Sequence, residues 1–202
     1  MIKQLIPLTR NKMEILTAIY ESGETHLLGI SKRLNLHPYS AQKTLAGLKP
    51  FLRFRKAGRT NLISIDKTNQ SYPELASLIE DYRLSAKSSA VNSIIQHLSN
   101  IFSGDNIIAC CLFGSYARMS FSEESDIDVL LVVRRKESAL RRKSSQLSSV
   151  LGKEVNPLIL SQDEFEKALK SKEPALMSLE MPQQRLIVKG ARYFLDATGK
   201  QL

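Results

Sequence analysis

The residues of this chain best suited to chemistry are the pair Gly114-Ser115 and, twelve positions on from the glycine, the triplet Asp126-Ile127-Asp128. A glycine that turns a strand into a helix aims backbone N–H groups at one spot. It also has no side chain to keep a phosphate away, and Ser115 adds a hydroxyl there. Residues two apart on a strand face the same way, so Asp126 and Asp128 are expected side by side. Two like charges in that position repel and lose hydration unless a cation or a shared proton compensates them. The chemistry that these types suit is the handling of phosphate beside a bound cation.

The elements that must hold these residues are legible around them. Ile107-Ile108-Ala109-Cys110-Cys111-Leu112-Phe113 is a short apolar run that reads as a buried strand, followed by a helical Ser115–Met119. Asp126 and Asp128 open a second apolar run that continues to Val133. Its two faces, Leu130 and Val132 against Val129 and Leu131, are both apolar, which predicts a central strand covered on both sides.

The string Gly114-Ser115-Tyr116-Ala117-Arg118 followed by Ser125-Asp126-Ile127-Asp128 resembles the polymerase-beta-like nucleotidyltransferase superfamily, specifically its minimal nucleotidyltransferases, over about residues 100 to 195. The resemblance implies that Gly114 and Ser115 hold a nucleoside triphosphate and that Asp126 and Asp128 bind magnesium. A nucleoside monophosphate would then move to a hydroxyl on a protein, nucleic acid or small molecule, with pyrophosphate leaving. Arg118 either touches phosphate or acceptor, or is a surface arginine beside Glu123 and Glu124. The family's third carboxylate, on a later strand expected over Lys153–Leu160, aligns with Asn156. An amide ligates a metal through its oxygen but supplies neither charge nor a base. Glu154, two residues earlier and on the same face of a regular strand, is the candidate substitute, although Pro157 disfavours a central ladder position there. Met119 stands where relatives often have glycine.

Length and composition set the frame. The 202 residues, 43% hydrophobic and 24% charged, suffice for one large or two small domains with real cores. No apolar run is long enough to span a membrane and no signal-like block opens the chain, so a cytoplasmic protein without a membrane partner is expected. Adjacent Cys110 and Cys111 read as reduced packing residues. His26, His37 and His97 lack ligand spacing.

Charge is unevenly spread. Residues 1–70 hold 12 Lys and Arg against 4 Asp and Glu, nearly all of the formal excess of +9. A small basic domain suggests a polyanionic partner, most often nucleic acid. A helix over Thr9–Glu21, a second over His26–Leu34 burying Leu27, Leu28, Ile30 and Leu34, and a third opened by Pro38 with an Ala41, Leu45, Leu48 stripe are expected. A β-hairpin with a basic tip follows, from Leu52 to Ile65. This order resembles a winged helix-turn-helix over about residues 5 to 67. In that mode Tyr39, Ser40, Gln42 and Lys43 face DNA from the third helix and Arg55, Lys56 and Arg59 from the wing. A basic face for protein contact, or RNA as ligand, is the alternative.

Residues 71–102 read as two helices with a polar break at Ser85–Ser89, joining domains over 1–70 and 103–202. Glu137–Leu151 reads as a basic, solvated helix. Ser161-Gln162-Asp163-Glu164 has helix-start chemistry, and Arg185–Lys189 is a last strand. The fold expected is α+β: an N-terminal winged helix-turn-helix, a helical linker and a C-terminal mixed-sheet nucleotidyltransferase domain. The function expected is magnesium-dependent nucleotidyl transfer by a DNA-binding protein. Two alternatives stay open: a transcriptional regulator whose transferase fold only senses nucleotide, and an antitoxin that modifies a protein partner. Winged-helix proteins often pair on DNA, so a homodimer is an expectation too.

Overall fold

In the computed structural model, which describes residues 7–199, the first described helix, α1 (Arg10–Ser22), buries Met13, Leu16, Ile19 and Tyr20 on one stripe and stops at Gly23. The φ of +70° at Gly23 is one that side chains resist. His26 belongs to a short strand, β1 (Glu24–His26), and the next helix, α2 (Leu27–Leu34), begins after it. Leu28 departs from the expected burial: it is 62% exposed, because two residues turn the helix by about 200° and Ile30 holds the inward face. Pro38 opens α3 (Pro38–Ala46), where the His37 Nδ1 accepts the Tyr39 N–H at 3.3 Å. The expected stripe of Ala41, Leu45 and Leu48 is buried.

Strands β2 (Leu52–Ala57) and β3 (Thr60–Ile65) form the expected hairpin. With β1 they make an antiparallel sheet of order β1-β3-β2, in which Glu24 pairs with Ser64 and Phe54 with Ile63. Helix α4 (Tyr72–Ser85) follows, and its buried Glu80 accepts the Tyr20 hydroxyl at 2.8 Å, satisfying two polar groups that burial alone would penalise. The chain divides into two units, the first running to Tyr82 and the second from Arg83.

The second unit starts with the last turn of α4 and helix α5 (Ser89–Ile101), then builds a mixed four-stranded sheet of order β6-β5-β4-β7. Its strands are β4 (Ile107–Phe113), β5 (Ile127–Val133), β6 (Val155–Ser161) and β7 (Arg185–Lys189). Only β5 and β6 run parallel, joined through helix α7 (Ser138–Leu151). Ile127, Val129, Leu131 and Val133 join Val91, Ile94 and Leu98 of α5 and Leu140 and Leu147 of α7 in one core. Leu130 and Val132, on the opposite side of β5, are equally buried. Helices α8 (Gln162–Lys170) and α10 (Ala191–Gly199), on either side of the short α9 (Pro174–Met177), contact the sheet as well, with Phe165 and Phe194 5.6 Å apart between centroids. Pro157 fits because β6 is an edge strand, and it pairs in unbroken register with Val129. No described helix is long and apolar enough to cross a membrane.

Candidate active site

Strand β4 ends at Phe113, which pairs with Asp128 on β5, so the turn at Gly114 falls beside the carboxylate by ladder register alone. Gly114 opens the short helix α6 (Gly114–Arg118) with φ +70°. A Cβ placed there would lie 2.2 Å from the Asp128 Oδ2, so any side chain at 114 would strain the backbone angle and also force the Asp128 carboxylate to move. The glycine turn and the aspartate pair, separate in sequence, thus form one site.

Asp128 is half-buried on the second position of β5, while Asp126 is exposed just before the strand. The parallel partner of Asp128 is Asn156, whose amide Nδ2 donates to the Asp126 Oδ2 at 3.3 Å. Burial holds the Asp128 carboxyl above its ordinary range, the Asp126 charge pushes it the same way, and the Arg118 guanidinium pulls it back. Arg118 also donates to the Gln184 Oε1 at 3.4 Å, so it faces the aspartates and the segment before β7, with no ion pair to Glu123 or Glu124 among the described residues. Glu154 lies outside β6, which starts two residues later than expected. Its carbonyl accepts the Ile127 N–H at 2.8 Å. Among the described residues no three His, Cys, Asp or Glu side chains gather to hold a metal, so Glu154 does not join the two aspartates. The two carboxylates are hard oxygen ligands of the kind that magnesium or calcium takes, and the Asn156 amide would join them only with its oxygen, not its Nδ2, toward the site.

Two features that the sequence did not single out hold this site. Tyr116 stacks on Phe121, with ring centroids 4.4 Å apart and planes 10° from parallel, and its hydroxyl donates to the Ser125 carbonyl at 3.5 Å. These contacts fasten both ends of the segment between α6 and Asp126 to the helix that starts at Gly114. Met119 takes the left-handed conformation, φ 60°, that ends α6, which is the physical reason glycine suits that place. The segment bearing Gln184 is held by two buried arginines. Arg83 donates to the carbonyls of Pro182 and Arg185, and Arg185 to those of Leu179 and Glu180 while lying 5.1 Å over the Phe194 ring. Only the Tyr116 and Phe121 pair had a signal in the sequence, one aromatic in the helix and a second in the loop that follows it.

The seven residues expected to face DNA all lie in the first unit, in two groups. Tyr39, Ser40, Gln42 and Lys43 are exposed on α3, with Tyr39 70% exposed. Arg55, Lys56 and Arg59 are exposed on the β2-β3 hairpin and its turn, where Arg55 is paired with Glu24 of β1 at 2.6 Å.

Residues 96–176 match the family described as Polymerase beta, Nucleotidyltransferase, and this stretch has a nucleotidyltransferase fold. The chain is similar to a crystal structure of a toxin-antitoxin with AMP-PNP, at 20% identity over 55% of this chain and 82% of that one, with TM-score 0.39. It is also similar to a chain in a solved structure of a tri-AMPylated Shewanella oneidensis HEPN toxin in complex with MNT antitoxin, at 19% identity over 55% and 80% of the two chains, TM-score 0.35. No curated protein matches the chain.

Proposed function

We propose that the second unit is a nucleotidyltransferase that moves a nucleoside monophosphate from a nucleoside triphosphate to a hydroxyl acceptor, and that the first unit is a winged helix-turn-helix that binds DNA. The observation that carries the transferase reading is the fit of Gly114 against Asp128. The turn suited to phosphate and the carboxylate suited to a cation are in contact, so a triphosphate and its metal ion would share one place. Asp126 and Asp128 would hold a divalent cation, magnesium in this reading, with the Asn156 amide turned to offer oxygen. The bound ion would supply charge stabilisation at the phosphates and at the leaving pyrophosphate. Gly114 and Ser115 bind the triphosphate through backbone N–H groups and a hydroxyl. Arg118, which donates to Gln184 and is near enough to Asp128 to lower its pKa, would bind a phosphate of the same ligand.

The neutral Asn156 supports a second reading, in which the site binds nucleotide as a regulatory signal and transfers nothing. One experiment separates the two. The purified protein is titrated calorimetrically with ATP, GTP, CTP and UTP, with and without magnesium, and pyrophosphate is assayed in the same samples against protein, nucleic-acid and small-molecule hydroxyls. Metal-dependent binding with pyrophosphate release, both lost in Asp128→Asn, is the expected result. Binding without release for every acceptor supports the nucleotide sensor, and no binding rejects this site.

A further inference from the structure

The excess positive charge of residues 83–202 comes from one short stretch. Arg134–Lys143 holds six Lys and Arg against one Glu, whereas the rest of 83–202 holds eleven against twelve Asp and Glu. Three of the six cations are engaged locally. Arg134 donates to the Asp105 carbonyl, Lys143 to the Ile101 carbonyl, and Lys136 pairs with Glu164 at 2.7 Å. The other three, Arg135, Arg141 and Arg142, are exposed, and among the described residues their side chains make no hydrogen bond or ion pair.

Their placement is electrostatically costly for α7 taken alone. The first turns of a helix favour anions, and α7 has one acidic residue at its N-cap, Glu137, and none in its first turn to offset the arginines. Packing does not account for them, since α7 meets its core through Leu140, Ser144 and Leu147. The stretch follows the last residue of β5, whereas the aspartate pair stands at its first, so the seven-residue strand separates the two by about 20 Å. These arginines are therefore not part of the triphosphate site.

We propose that Arg135, Arg141 and Arg142 form a second polyanion-binding surface, in the transferase unit, whose ligand is the phosphodiester backbone of a nucleic acid. The outward face of α7 continues from the arginines through Ser145, Gln146 and Ser149, without an aromatic side chain. A protein interface is typically centred on a cluster of aromatic and apolar anchors, whereas this helix exposes a single large apolar side chain, Val150, near its far end. The Ser145 and Ser149 hydroxyls donate back to the carbonyls of Arg141 and Ser145. Contact therefore rests on guanidinium donors and charge, and is independent of sequence.

The test uses the full chain with fluorescent duplex DNA, single-stranded DNA and RNA, measured by anisotropy over a range of salt concentrations. It compares wild type, a triple Gln variant (R135Q, R141Q, R142Q), a triple Lys variant at the same positions, and each of these combined with R55A, K56A and R59A. The Gln variant is expected to lower the slope of log K against log salt by about two to three and to weaken binding roughly tenfold, in the wing-substituted background as well. The Lys variant is expected to keep the wild-type slope. An unchanged slope in the Gln variant with all three probes overturns the proposal. So does equal loss in the Lys and Gln variants, or binding to polyglutamate in place of nucleic acid. Nucleotide titration of the Gln variant stays at wild-type values, which separates failure here from failure of the transferase assignment.

Discussion

At Gly114 the absence of a side chain is a chemical requirement. Gly114→Ala adds a methyl group at the Asp128 carboxylate and forces a left-handed φ that costs an L-residue about 1–2 kcal/mol. We expect the variant to fold with a lowered melting temperature and to lose at least about a hundredfold in nucleotidyl transfer, in line with the cost of misplacing groups by an ångström. Asp128 makes the opposite demand on stability. Its carboxyl is raised by burial and by Asp126, so the folded protein binds its proton more tightly than the unfolded chain does. The strain from its charge is absent at low pH and present once pH rises through the raised value. Asp128→Asn is thus expected to raise the melting temperature at pH 7 while abolishing transfer, and that gain should shrink as pH falls toward the carboxylate range. Divalent-ion affinity, measured by calorimetry, is expected to weaken as pH falls through the same window.

At the scale of elements, the sheet was legible because its strands carry an unambiguous pattern. Leu131 lies at 0% exposure between two neighbouring strands, and Leu131→Ala is expected to cost about 2–5 kcal/mol in denaturant unfolding of the second unit. The start of α8 was equally legible. Ser161 accepts the Glu164 N–H and the Glu164 carboxylate accepts the Ser161 N–H, a complete capping box that Lys136 reinforces. Ser161→Ala is expected to lose about 1 kcal/mol. The Lys136 contact and the box hold the Glu164 carboxyl down at about 2, so its share of stability is present above the unfolded carboxylate value and lost as pH falls toward 2. Other features were not legible. Strand β1 is three residues long and gains its place only by pairing with β3, and α10 follows a glycine with no capping signal in its sequence. Leu28 shows the limit of apolar pattern in a short helix, and the Asn156 contact with Asp126 depends on strand pairing that one sequence does not reveal. Arg83 and Arg185 carry no sequence signal that separates them from the other arginines, yet they are among the largest buried side chains.

For the whole molecule, charge argues more strongly than hydrophobicity. The basic excess of residues 1–70 meets a polyanion through α3 and the hairpin in the proposed reading. Substituting Arg55, Lys56 and Arg59 by alanine is expected to flatten the salt dependence of DNA binding by about two, not three, because Arg55 is already partly neutralised by Glu24. Anisotropy titration at several ionic strengths reads that difference directly, and Glu24→Gln should steepen the slope by releasing Arg55.

The two cysteines of the chain, Cys110 and Cys111, sit together in the middle of β4 at 1% and 0% exposure. Burial raises the Cys110 thiol above its ordinary range. Neither sulfur meets a labelling reagent until the sheet opens, and the first unit has no thiol of its own. The rate of alkylation under native conditions is therefore an internal clock for opening of the second unit alone. Slower labelling with added nucleotide and metal ion would report occupancy of the aspartate site by protection, before any acceptor is identified.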